Sequence, residues 1–219
     1  MSKDKEISIL SIGHENETVS MAQQGNMKAF EHLVTLYEGY VYNLCYNVFY
    51  NALDAQDATQ EIFVKIYKNI NSFKFNSQFK TWVYKIAINT CIDEYNRKKK
   101  RIFEIFDGEE PETYDIPDKK GKNPEQILEE KELRNDLKDI IKSLPLKYRV
   151  CIVLRDMQGL TYEEISDTLK LNINTVKVRV NRGRLKIKDK YLKLDKKRKR
   201  NADKDFKLSS KQLAKGGDK

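Results

Sequence analysis

Hydrophobic residues recur along this chain at spacings of three and four, the period of a helix with one buried face. The first clear stretch is Ala29, Phe30, Leu33, Val34, Leu36, Tyr37, Val41, Leu44 and Cys45, which predicts an amphipathic helix over 26–49. Asp54 stands where an N-cap belongs. Ala58, Ile62, Phe63, Ile66, Tyr67 and Ile70 then continue a second helix over 54–70. A third runs from Phe79 through Trp82, Val83, Ile86, Ala87, Thr90 and Cys91 to Arg101. Three such helices in about 75 residues make a small bundle.

The pattern lapses over 102–124. Three of the chain's four prolines, Pro111, Pro117 and Pro124, fall here beside a run of acids from Asp107 to Asp115. Such a stretch cannot build a long regular element and reads as a linker. The helical period then returns. One helix covers 133–144 and stops before Pro145. A second, over 146–157, buries Tyr148, Val150, Ile152, Val153 and Leu154. Gly159 permits a sharp turn. Thr161-Tyr-Glu-Glu164 is a capping box, in which the hydroxyl and the carboxylate satisfy each other's backbone amides. Asn172 is a good N-cap for the next helix. Val176, Val180, Gly183 and Ile187 give that helix one buried stripe. The expected organisation is all-α: an extension (1–24), a helical domain (25–101), the linker (102–124), a second helical domain (125–192) and a tail (193–219) without fixed structure.

Charge sharpens this picture. The net +9 is uneven: each helical domain carries +4, the linker −4, the extension −2 and the tail +7. A positive excess points to a polyanion. No run approaches the roughly 20 apolar residues of a membrane span. Residues 1–17 lack the apolar core of a signal peptide. A cytoplasmic protein with no membrane insertion is expected. Cys45, Cys91 and Cys151 stand far apart, which argues against a disulfide framework and against zinc. His14 and His32 lie in no ligand pattern, and no glycine-rich phosphate loop exists. No metal, cofactor, small-molecule substrate or catalysis is expected.

Three groups of residues carry candidate chemistry. Around the loop Asn71–Gln78, Phe73, Phe75, Phe79, Trp82 and Tyr84 alternate with Lys74, Lys80 and Lys85. Aromatics among lysines suit stacked, unpaired bases and their phosphates, although core filling is the better account of any single ring. Asn76, Ser77 and Gln78 could read the edge of an extruded base. Asn89 is a polar residue in an apolar stretch, and Arg97–Arg101 are five cations at a helix end. The helix before the loop instead begins with Asp54, Asp57, Gln60 and Glu61, either a solvated face or a docking surface for a basic protein. In the second domain, a capped helix, a tight turn and a basic helix describe a helix-turn-helix. Asn174, Thr175, Val178, Arg179 and Arg182 would meet base edges, with Lys177 beside them, while Lys186 and the lysines beyond it would meet phosphates.

Two stretches resemble the sigma-70 superfamily of RNA polymerase sigma factors, in its compact extracytoplasmic-function (ECF) group. One is Asp54-Ala-Gln-Asp-Ala-Thr-Gln-Glu-Ile-Phe63, running on to Phe79-Lys-Thr-Trp-Val-Tyr-Lys-Ile-Ala-Ile-Asn89 and Asp93. The other is Leu144-Pro145 through Leu160-Thr-Tyr-Glu-Glu-Ile165 and Thr175-Val-Lys-Val-Arg179 to Arg182-Gly-Arg184. The resemblance implies that Asp54, Asp57, Gln60, Glu61 and Phe63 dock on the clamp helices of the largest polymerase subunit. It implies that Phe75, Asn76, Ser77, Lys80, Trp82, Lys85, Asn89, Asp93 and Arg97 recognise and melt a −10 element. It makes the helix-turn-helix a −35 reader that also touches the flap of the second-largest subunit. It sends the acidic linker toward the polymerase active site, and an anti-sigma factor, often membrane-bound, is an expected partner. The departures are Asn174 for the usual Gly, Val178 for Ser and Gly183 for Ala. A stand-alone helix-turn-helix regulator is the alternative, but it gives no account of the aromatic loop or the acidic helix.

Overall fold

The computed structural model describes residues 14–105 and 125–215, with side chains for 14–100, 133–196 and 198. The linker expected beyond Ile105 and the first part of the extension lie outside them.

The first domain holds four helices rather than three. Residues 14–23 form α1, whose Val19 and Ala22 are buried, so the polar extension supplies part of the core. Helix α2 (Met27–Phe49) is capped by Asn26, whose side chain accepts from the Ala29 amide at 3.1 Å. It ends at Tyr50, which is in the left-handed region at φ 52°. Helix α3 (Ala52–Asn69) begins before Asp54. Its cap is Asn51, whose side chain accepts from the Asp54 amide at 3.1 Å. Asp54 instead sits in the first turn, where a carboxylate favours the helix dipole. Helix α4 runs Phe79–Ile105, four residues past the expected end. Val41, Leu44 and Val48 meet Ile62, Ile66, Val83 and Ile88, all nearly or wholly buried. Each contributes about 1.5–3 kcal/mol by leaving water.

The second domain comprises α5 (Glu125–Lys142), α6 (Leu146–Ile152), α7 (Tyr162–Leu169) and α8 (Ile173–Lys215). The helix expected over 146–157 changes to π pitch over Val153–Met157, and the Gln158 amide bonds to the Val153 carbonyl at 3.0 Å. Both halves of the capping box form: Glu164 N to Thr161 Oγ1 at 3.1 Å, and Thr161 N to Glu164 Oε2 at 2.8 Å. Lys170, at φ 53°, closes α7 and opens the turn into α8. Gly183 has a packing reason. A Cβ there would stand 2.8 Å from Ile152 Cγ1, so α6 and α8 approach more closely than alanine allows. The tail expected to lack fixed structure is corrected: α8 continues as one helix to Lys215.

The two domains lie against each other, with α7 on α4. The Tyr84 hydroxyl donates to Gln158 Oε1 at 2.7 Å, and the Thr81 hydroxyl to Glu164 Oε1 at 3.0 Å. The Arg149 guanidinium donates across the junction to the Val48 carbonyl at 2.7 Å. Thr81, Tyr84, Ile88, Ile92 and Tyr95 repeat at helical spacing, so one stripe of α4 faces the second domain.

Candidate nucleic-acid interface

The loop after α3 is held from behind. Gln23 of α1 donates through Nε2 to the carbonyls of Ile70 and Phe73, both at 2.9 Å. Phe73 is buried, with its ring centroid 5.3 Å from Phe79 and 5.6 Å from Trp82. Phe79 and Trp82 stack at 5.5 Å. Of the aromatics named from the sequence, Phe73, Phe79 and Tyr84 are therefore core. Phe75 is different. It is 42% exposed and adopts φ +59°, a strained conformation for a bulky residue, held because its ring lies 4.8 Å from Phe73. Asn76, Ser77 and Gln78 follow it and are exposed. The result is a rigid base with a projecting aromatic and three polar side chains.

Trp82, Lys85, Asn89, Asp93 and Arg97 leave this loop at spacings of three and four, forming a second stripe of α4 beside the one that meets the second domain. Arg97 pairs with Glu94 at 2.7 Å. Lys80 does not join the stripe. Its ammonium lies over the rings of Tyr40 (4.8 Å) and Tyr84 (5.6 Å).

On α3 the expected docking residues separate. Asp57 and Gln60 are exposed. Asp54 is paired to Lys98, and Glu61 to Lys65 at 2.8 Å. Phe63 packs against the core rather than facing out. The structure adds Leu53, 72% exposed, and Val64, 52% exposed, on the same line as Asp57 and Gln60. Their spacing of four, three and four was visible in the sequence, but the helix start had to be known to place Leu53 on it.

On α8, Asn172 accepts from the Asn174 amide at 2.8 Å and fixes the start of the helix. Asn174, Lys177, Val178, Arg182 and Lys186 are exposed. Thr175 is half-buried. Arg179 turns away from them into a crevice lined by Ile92, Leu146, Val150, Leu169 and Leu171. There it lies near the Cys151 thiol, whose pKa burial pushes up to about 11 against the opposing effect of the arginine's charge. Arg182 lies near the Tyr148 hydroxyl at the edge of the exposed face and lowers its pKa. Asn181 and Leu185 lie within that face and were missed: neither is cationic, and the sequence signal was charge. Arg184 is held by both oxygens of Asp156 and is an internal tie.

A loop with a projecting aromatic and three exposed polar side chains, a polar helix beside it and a separate helix-turn-helix define a helical, two-domain chain. Sigma-70 region 2 matches residues 33–101 and Sigma-70, region 4 matches 134–187. The chain is 36% identical over 169 residues to the ECF RNA polymerase sigma factor SigW of Bacillus subtilis, covering 76% of this chain and 90% of that one. It is 35% identical over 175 residues to the ECF RNA polymerase sigma-E factor of Escherichia coli K12, covering 78% and 91%. A solved structure of the sigma factor RpoE with the anti-sigma factor NepR, from Bartonella quintana, aligns at TM-score 0.59 and 25% identity over 77% of this chain and 99% of that one. The chain belongs to the ECF group of the sigma-70 family and is an RNA polymerase sigma factor.

Proposed function

We propose that this chain binds core RNA polymerase, directs it to promoters with −35 and −10 elements, and assists melting, without catalysis of its own. One observation carries the reading: the base-accommodating loop and the helix-turn-helix occur in one chain, each on its own domain. Asp57 and Gln60, flanked by Leu53 and Val64, form the face for the clamp helices. Phe75, Asn76 and Ser77 hold an extruded −10 base, and the stripe from Trp82 through Lys85, Asn89 and Asp93 to Arg97 follows the strand. Lys80 serves −10 recognition only if it leaves Tyr40. Asn174, Lys177, Val178, Asn181 and Arg182 read −35, with Thr175 at their edge and Lys186 on phosphate. The flap of the second-largest subunit is the second polymerase contact.

Melting follows from differential binding: the loop holds an unpaired base and has nothing to offer a paired one, so the open duplex is favoured. Boxes centred about 25 base pairs apart lie on the order of 85 Å apart at about 3.4 Å per base pair. Domains in contact cannot reach both, so promoter engagement must break the Tyr84–Gln158, Thr81–Glu164 and Arg149–Val48 bonds. An anti-sigma factor would act by preventing that separation, and location in the cytoplasm, free or held at the membrane by such a partner, fits this role. Among the described residues no helix is long and apolar enough to cross a membrane.

The test is transcription by purified core polymerase on a library of random promoter sequences. Specific transcripts that require this chain, sharing two boxes, are expected. Sequence-specific operator binding by the chain without core, and no transcripts with it, would favour the stand-alone regulator.

A further inference from the structure

Cys45 of α2 and Cys91 of α4 are 46 residues apart in the chain, yet their sulfurs lie 3.5 Å apart. Both thiols are free, and neither has any exposed surface. Cys45 lies among Val41, Leu44 and Val48 on the buried face of α2, and Cys91 follows Ala87 and Ile88 on α4. Packing alone asks only for small apolar groups at these two places. Two facing thiols also bring a chemistry that alanine or valine lacks. A disulfide needs its sulfurs at about 2.05 Å, and the gap that remains is one that side-chain rotation can close.

The two sulfurs are not equivalent. The Cys91 thiol donates to the Cys45 sulfur. That bond, with the Thr59 hydroxyl nearby, holds the Cys45 thiol below its ordinary pKa against the opposing effect of burial. The same bond and burial hold the Cys91 thiol well above its own. Cys45 is therefore the better nucleophile, and Cys91 stands beside it to resolve what it forms. Cys151 lies in the second domain, and burial pushes its thiol up to about 11.

We propose that Cys45 and Cys91 are a peroxide-sensitive thiol pair, which oxidation joins as a disulfide that ties α2 to α4 within the first domain. Burial selects the oxidant: a charged disulfide such as oxidised glutathione does not fit between packed helices, whereas hydrogen peroxide is uncharged and nearly the size of water. In the first step the Cys45 sulfur attacks one peroxide oxygen and the O–O bond breaks. The thiol proton leaves with the other oxygen as water, and Cys45 becomes a sulfenic acid. The Cys91 sulfur then attacks the Cys45 sulfur. The S–O bond breaks, and the Cys91 proton leaves with the hydroxyl as a second water. Two thiols and one peroxide have become one disulfide and two waters. The closed loop contains all of α3 and the loop after it, so the unfolded chain loses much of its freedom and the folded domain gains. Because the resolving thiol is adjacent, Cys45 stops at the disulfide instead of passing on to an irreversible sulfinic acid.

The experiment treats the purified, reduced full chain with hydrogen peroxide, without polymerase or DNA, so its result is independent of the sigma-factor reading. Free thiols, counted in urea after quenching, should fall from three to one. Peptide mapping should find Cys45 joined to Cys91, and dithiothreitol should restore all three. A tie of this span should raise the melting temperature of the first domain by about 10 °C. Cys151→Ala should behave as the natural chain does. Cys91→Ala should show no rise in melting temperature and should carry Cys45 to a sulfinic acid that dithiothreitol does not reverse. Three thiols that survive until the chain unfolds would overturn the proposal. So would a link that involves Cys151, or a Cys45–Cys91 link that leaves the melting temperature where it was.

Discussion

Arg149 of α6 and the Val48 carbonyl at the end of α2 are joined at 2.7 Å although 101 residues separate them. The same guanidinium also holds the carbonyls of Lys142 and Leu144. It lies between the rings of Tyr50 and Tyr95, at 6.0 and 5.7 Å. One buried cation thus closes the α5–α6 corner and ties it to the first domain. Replacing Arg149 by Ala strands three carbonyls, at about 1–3 kcal/mol for each buried group left unpaired. A fall in unfolding free energy of at least 3 kcal/mol is expected in urea melts. Arg149→Lys should recover only part, because an ammonium cannot reach three acceptors in the guanidinium plane. A loss below 1 kcal/mol for Arg149→Ala would show that the corner stands without it.

The domain junction can be loosened without touching that corner. Tyr84→Phe with Thr81→Val removes the two side-chain hydrogen bonds to Gln158 and Glu164 and leaves the rings and the backbone in place. Each bond is worth about 0.5–1.5 kcal/mol net, so the open population should rise about 5- to 160-fold. Dyes on cysteines introduced at Lys28 and Lys188 would report it, since the three native cysteines are buried. Unchanged transfer efficiency would mean that the junction does not depend on these bonds.

By helix propensity alone, Gly183 loosens α8 by about 1 kcal/mol relative to alanine. The structure reverses the sign. With Ile152 Cγ1 at 2.8 Å and Cδ1 at 3.0 Å from the position of a Cβ, Gly183→Ala forces a buried, β-branched side chain to move. Overpacking costs about 1–3 kcal/mol and outweighs the propensity gain. A double-mutant cycle with Ile152→Ala should show the pair costing less than the sum of its members. Strict additivity would remove the contact as the cause.

These cases mark what the chain's pattern can convey. Helix positions, the capping box and the helix-turn-helix were legible because they are local: apolar period, a Thr and a Glu three apart, an Asn before a helix. Asn51 as cap of α3 was missed because Asp54 has the same chemistry three residues on. The helical extension was missed because its apolar positions are sparse and part of its anchoring comes from Asp136, 62 residues away. Arg179 and Arg182 are alike in sequence, and only the register of α8 against α6 turns one inward. Long-range packing decides such matters, and spacing along one helix does not contain it.

Tyr50 offers a test by pH. Its hydroxyl is buried without a hydrogen-bond partner, and burial pushes its pKa up to about 12 despite the nearby Arg149 charge. Tyr84 is likewise pushed up to about 12 by burial. The unfolded chain ionises its tyrosines near pH 10 and the folded chain does not, so folding stability is complete below pH 10 and falls between about pH 10 and 12. Tyr50→Phe should flatten part of that fall and leave stability at pH 7 unchanged or higher, since it removes an unpaired polar group. An unaltered alkaline limb would show that Tyr50 is not its source.

Arg179 and Arg182 give the sharpest division of labour on the recognition helix. Arg182 is exposed beside Val178 and Asn181, while Arg179 lies in the crevice against Cys151. Arg182→Ala should cost about 1–3 kcal/mol at one base position and relax −35 preference there, with little change in melting temperature. Arg179→Ala should do the opposite: it opens the packing around Leu146 and Leu171 and lowers thermal stability, and the ranking of −35 sequences stays as it was. Promoter selection with core polymerase, run beside thermal melts of each variant, separates the two. A changed base preference for Arg179→Ala at unchanged stability would return that arginine to the readers and show that it swings out when DNA is bound.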